Sequence, residues 1–171
     1  MNNTRQISAL QPWKALYGSL AGPLTARARG LPGNAWILRQ GHAAVGNLVF
    51  NGLRGAEFKA GPLNANIQRS PYGDYVMSSG DQRILTADSP SSSLNALEID
   101  CGDTRYEAHV SFFRNKVEAR LLDGEEVALL KGDVLGRRYA ITLNPSPAEA
   151  LPLAILLLYH TATFRRRAFL T

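Results

Sequence analysis

The chain of 171 residues is poor in the groups that carry most protein chemistry, with one cysteine, two methionines and three histidines. Cys101 has no second cysteine for an internal disulfide. Together with His42, His109 and His160 it does not fall at metal-ligand spacing, and C-x-x-C and H-E-x-x-H are both absent. Neither a disulfide scaffold nor a zinc site is expected. G-x-S-x-G, the P-loop and G-x-G-x-x-G are missing as well, which leaves serine hydrolase, nucleotide and dinucleotide readings without a motif. No run of about 18 apolar residues occurs, and residues 1–25 lack the basic-then-apolar pattern of a signal peptide. Secretion and a conventional membrane span therefore lose support, and a reducing, cytoplasmic setting is expected. This inventory gives no catalytic residue, no metal and no cofactor.

Acidic residues are absent from the first 56 positions, and Glu57 is the first. Arg5, Lys14, Arg27, Arg29, Arg39 and Arg54 give that stretch a charge of +6. Residues 57–136 hold eight basic and thirteen acidic side chains, for −5; residues 137–171 set Arg137, Arg138, Arg165, Arg166 and Arg167 against Glu149, for +4. The net +5 thus belongs to the two ends. If the ends meet in the folded domain, they form a positive face suited to phosphate groups. Arg27, Arg29, Arg54, Arg137, Arg138, Arg165, Arg166 and Arg167 are the candidate anionic-surface residues. The competing reading is a set of solvated arginines that balance the acidic middle.

With 45% apolar and 19% charged residues, the chain has the composition and length of one folded domain. Residues 1–34 carry frequent glycine and proline, which predicts an N-terminal arm or a short helix. Ile7, Leu10, Trp13, Leu16 or Tyr17, and Leu20 recur at helical spacing, interrupted by Pro12. That segment either lies at a membrane interface, with Trp13 and Tyr17 at head-group depth, or covers an open sheet edge. Residues 35–171 read as a single domain. From Ala35 the pattern has period two, broken every 8 to 12 residues by glycine or aspartate turns. Strands are expected over 35–39, 44–50, 56–59, 75–78, 83–87, 94–101, 105–113, 117–121, 127–129 and 139–143. Asp123-Gly124 predicts a type I′ hairpin turn. About ten antiparallel strands are most economically arranged as a barrel, which removes their edges.

After Asn144-Pro145 the pattern changes. Ser146-Pro147-Ala148-Glu149 reads as a capping box, and a helix is expected over about 147–164, its start reset or kinked by Pro152. Leu153 to Tyr159 is apolar or aromatic throughout and covers the whole helix circumference. Such a helix needs enclosure by protein or by lipid. The apolar stretch from Ala150 to Phe164 is about 22 Å long as a helix, short of a hydrocarbon core of about 30 Å, so enclosure by protein is favoured. The alternative is a tail anchor, with a soluble β head and residues 148–171 in the bilayer.

Other residues carry weaker signals. His109 falls on the Glu107, His109, Ser111 face of its strand, opposite Tyr106, Ala108, Val110 and Phe112, and is expected to face solvent. His160 is expected to be buried and hydrogen-bonded. Asp123, Glu125 and Glu126 read as a solvated hairpin tip. Phe112, Phe113, Arg114 and Lys116 lack the spacing of an RNA-recognition sheet, so nucleic acid is not an expected partner.

Many short antiparallel strands followed by one fully hydrophobic C-terminal helix resemble the Tubby C-terminal-like superfamily, which includes phospholipid scramblases and LURP-one-related proteins. The resemblance rests on Leu121–Ala128, Gly136-Arg137-Arg138-Tyr139 and Leu151–Tyr159, and spans about residues 35–164. Small bacterial members of that group end similarly. It implies a mainly β, antiparallel barrel of up to twelve strands, closed around a hydrophobic C-terminal helix. It also implies a non-enzymatic role in binding anionic phospholipid head groups or a protein partner at the inner membrane surface. The scramblase cysteine cluster and a calcium loop are both missing here, so scrambling has no residue-level support.

Overall fold

The computed structural model describes residues 2–30, 33–52, 54–90, 95–144 and 147–170, without the side chains of residues 2–8 and 167–170. Ser146 of the expected capping box, Leu94 at the start of the expected 94–101 strand, and the side chains of Ile7 and Arg167 lie outside the described residues. Helix α1 (Asn2–Gly18) is followed by β1 (Leu24–Arg29), β2 (Ala35–Gln40), β3 (Ala43–Phe50), β4 (Gly55–Ala60), β5 (Leu63–Arg69) and β6 (Tyr75–Ser79). Then come β7 (Gln82–Asp88), β8 (Ala96–Cys101), β9 (Thr104–Ser111), β10 (Lys116–Leu121), β11 (Glu126–Gly132), β12 (Arg138–Leu143) and helix α2 (Ala150–Leu170).

Each strand pairs antiparallel with its neighbours in sequence, and β1 closes the ring against β12. The expected antiparallel barrel of up to twelve strands around a C-terminal helix is therefore the fold, with all twelve strands present. Period-two patterning builds the wall: along β4, Ala56, Phe58 and Ala60 point in while Lys59 points out, and along β5, Leu63, Ala65 and Ile67 alternate with Asn64, Asn66 and Gln68. His109 faces water on β9, opposite buried Tyr106, Ala108 and Val110.

Two strands lie outside the expected set. Residues 1–34, expected as an arm or short helix, also supply β1, which is a full member of the barrel between β2 and β12. β5 occupies residues 63–69, where no strand was assigned. The β10–β11 turn also differs. Only Gly124 has positive φ (95°), whereas a type I′ turn needs it at Asp123 too. Instead the Gly124 N–H donates to the Leu121 carbonyl and the Leu121 N–H to Glu125, giving a longer loop with one left-handed glycine.

In an up-and-down barrel, consecutive connections alternate between the two ends. One end carries Gly41-His42, Gly61-Pro62, Gly80-Asp81, Gly102-Asp103 and residues 122–125. α1 closes this end. Trp13, 0% exposed, stacks on inward-facing Phe58 at 5.5 Å, so it plugs the barrel and does not lie at head-group depth. α1 runs through Pro12, which sits on its exposed side. Gly46 on β3 makes room for the Phe58 ring, because a Cβ there would sit 2.7 Å from Phe58 Cζ.

α2 passes through the interior. Leu151 and Leu153 to Tyr159 are all 0% exposed, so the strands enclose the helix on every side and the tail-anchor arrangement is not the one found. The helix starts at Ala150, with the Leu153 N–H donating to Glu149, and continues to Leu170, beyond the expected end near 164. Pro152 falls in the first turn, where its missing N–H has no intrahelical partner to lose. The helix leaves at the second end, among connections 30–34, 51–54, 112–115 and 133–137.

Candidate functional site

The closure of β1 against β12 is where the two basic stretches of the sequence meet. Arg27 on β1 is the direct cross-strand partner of Arg138 on β12, and Thr25 is the partner of Arg39 on β2. Outward alternation puts these side chains on the outer wall. With Ala28, Gly41, His42, Asp133 and Arg137 they line a cleft of about 580 Å³. Four guanidinium groups and one imidazole thus face a single carboxylate. Asp133 is itself engaged, its Oδ1 accepting the backbone N–H of Arg137 at 2.8 Å and of Arg138 at 3.3 Å. Arg137 Nη2 donates to the Gly30 carbonyl at 3.1 Å, which steadies one guanidinium at the cleft wall.

Ion pairs in the described residues lie elsewhere, among Lys59, Arg105, Lys116, Arg120 and their carboxylate partners. Among the described residues none of the cleft arginines forms one. Like charges directly opposite in an antiparallel pair are destabilising, so Arg27 facing Arg138 works against the fold. The arrangement suits an anion that bridges them: guanidinium groups present planar, forked donors to phosphate and keep their charge at any ordinary pH.

The other candidate arginines separate into two groups. Arg29 and Arg54 are exposed at the second barrel end, outside the cleft. Arg165 and Arg166 are half-buried at the helix exit and brace it. Arg166 donates to the Gly52 carbonyl (3.3 Å) and to Asn34 Oδ1 (3.0 Å), and its guanidinium lies 4.7 Å from the Phe50 ring centroid. The Arg165 guanidinium rests over Gly136, where a Cβ would collide with it, and interacts with the Tyr139 hydroxyl. Arg39 and His42 belong to the cleft without having been candidates. Their signal was the hairpin turn Gly41-His42, which places both beside β1 once β1 is recognised as a strand.

Burial, helped by the Glu149 carboxylate, pushes the Cys101 thiol up to about 12, so it stays protonated and is a poor nucleophile; its Sγ donates to the Ile84 carbonyl at 3.2 Å. Burial likewise raises the Tyr106 hydroxyl, and lifts Tyr139 to about 12 against the lowering effect of Arg165. His160, 1% exposed, shares a 2.6 Å hydrogen bond between Nδ1 and the Tyr75 hydroxyl, as expected of a buried, hydrogen-bonded histidine. Among the described residues no three His, Cys, Asp or Glu side chains converge as metal ligands, and no helix is long and apolar enough to cross a membrane.

The site therefore defines a closed barrel with an arginine cleft on its outer wall. No protein-family model, curated protein or solved structure matches the chain.

Proposed function

We propose that the chain is a non-enzymatic barrel of the Tubby type that binds anionic phospholipid head groups at the inner membrane surface, using the cleft across β1, β2 and β12. The observation that carries this reading is the directly opposed Arg27 and Arg138, without an ion pair among the described residues, joined by Arg39 and Arg137 around one engaged aspartate. A twelve-stranded barrel around a hydrophobic C-terminal helix is the architecture that the Tubby-like resemblance implies.

Sedimentation with vesicles tests it. At low salt the chain pellets with phosphatidylcholine vesicles containing phosphatidylserine and not with phosphatidylcholine alone. Each arginine near the surface contributes about 1 kcal/mol, so Arg27→Gln with Arg138→Gln lowers partitioning by roughly 30-fold. The double variant keeps the wild-type melting temperature or exceeds it, since a like-charge pair has been removed. Equal recovery on both vesicle types defeats the reading.

A further inference from the structure

The barrel is polarised along its axis. Its first end carries Asp81, Asp103, Asp123 and Glu125 in its strand connections and Glu149 in the link to α2, against Arg5 and Lys14 of the α1 that closes it, for a charge of −3. The second end carries Arg54, Arg114 and Arg137 against Asp74 and Asp133, for +1, and α2 emerges there with Arg165, Arg166 and Arg167 in sequence, for +4. The same end holds four bulky apolar tips. Tyr72, Phe113, Val134 and Leu135 are 92%, 103%, 97% and 71% exposed, on three separate connections. Water gives no reason to gather such side chains at one rim.

Two of those connections are braced. Asn115, buried and left-handed at φ 49°, donates from Nδ2 to the Asp133 carbonyl and accepts the Gly132 N–H at 2.7 Å on its own carbonyl. Its Oδ1 accepts the Tyr139 hydroxyl at 2.8 Å. Phe113 and the Val134-Leu135 pair are thus held outward by neighbouring, linked loops.

We infer that the protein docks end-on on an anionic bilayer, with the α2-exit end against it and Phe113, Val134, Leu135 and Tyr72 set into the head-group boundary. This rests on the head-group reading of the cleft and adds the geometry of engagement. The loop that carries Val134 and Leu135 also supplies Arg137, so seating those tips brings the near side of the cleft, Arg137 with the opposed Arg138 and Arg27, toward the phosphates, while Arg39 and His42 lie farther along the wall. Single apolar tips on separate loops, interspersed with arginine, enter an interface one at a time while the guanidinium groups stay among phosphates. A protein partner is better served by one continuous apolar patch.

Depth-dependent quenching tests the orientation. Native Trp13 and Trp36 are buried at 0% and 3% exposure and give a background that lipid quenchers do not reach. Full-length Phe113→Trp and Leu122→Trp are compared on phosphatidylcholine–phosphatidylserine vesicles with brominated acyl chains, Leu122 being exposed at the opposite end. Quenching and a blue shift at position 113, with neither at 122, are expected. Phe113→Ser with Leu135→Ser lowers vesicle partitioning about tenfold or more without changing the preference for anionic lipid. Vesicle binding with no quenching at 113, or with quenching at 122, overturns the end-on inference and leaves the cleft reading standing. Failure to bind anionic vesicles at all overturns both.

Discussion

Alanine scanning along α2 separates an enclosed helix from one packed on a single face. Ile155, Leu156, Leu157 and Leu158 follow one another at about 100° per residue, so together they point to every side of the helix. All four are 0% exposed. A helix lying on a sheet has at least one of four such positions facing water, and truncation there costs little. Inside a closed barrel every position leaves a cavity. Each substitution then costs about 2–5 kcal/mol, toward the upper figure where a hydrogen-bonded ring of strands cannot collapse onto the void. With a urea slope of roughly 2 kcal/mol/M, a loss of about 4 kcal/mol lowers the unfolding midpoint by about 2 M. Urea titrations followed by far-UV circular dichroism give these midpoints, with Val49→Ala on the outer wall as a control that shifts little. Uniform losses at all four positions are expected. A helical periodicity, with one of the four below about 1 kcal/mol, refutes the reasoning.

Gly46→Ala places a Cβ 2.7 Å from Phe58 Cζ and 2.9 Å from the Lys59 carbonyl, so it costs about 1–3 kcal/mol and loosens the Trp13 plug. A red-shifted tryptophan emission in the native baseline, partly restored by adding Phe58→Leu, checks this. The buried acids set an alkaline limit. Cys101 and Tyr139 titrate near 12 in the folded chain against ordinary values of 9.0 and 10.0, so between those pH values the native state holds more protons than the unfolded one and stability falls as pH rises. Thermal melts from pH 8 upward should decline beyond about pH 9, and Cys101→Ala should shallow that decline; a flat profile contradicts the account.

The barrel was legible because most of its wall alternates and its plug does not, although β2, β7 and β11 break the alternation with adjacent buried residues. Ala56, Phe58 and Ala60 against Glu57 and Lys59 show the first pattern, and Leu153 to Tyr159 the second. β1 was hidden because its inward positions include small Ala26 and Ala28, amid glycine and proline that read as a loop. Without β1 the ring has no closing strand, and Arg27 cannot be set opposite Arg138. The cleft therefore became visible only with the register. The basic ends do converge at Arg27, Arg137 and Arg138, but burial diverted Arg165 and Arg166 into holding the helix exit. Trp13 followed the same logic: its helical spacing was plain, while its partner Phe58 lies 45 residues away, beyond what local pattern reports.

Amide hydrogen exchange of the full-length chain in detergent-free buffer tests most directly whether the strands shield α2. Amides of Leu153 to Ala162 should exchange only through global unfolding, as slowly as the slowest strand amides. Exchange of that segment well ahead of the strands, through local opening, would contradict an enclosed helix.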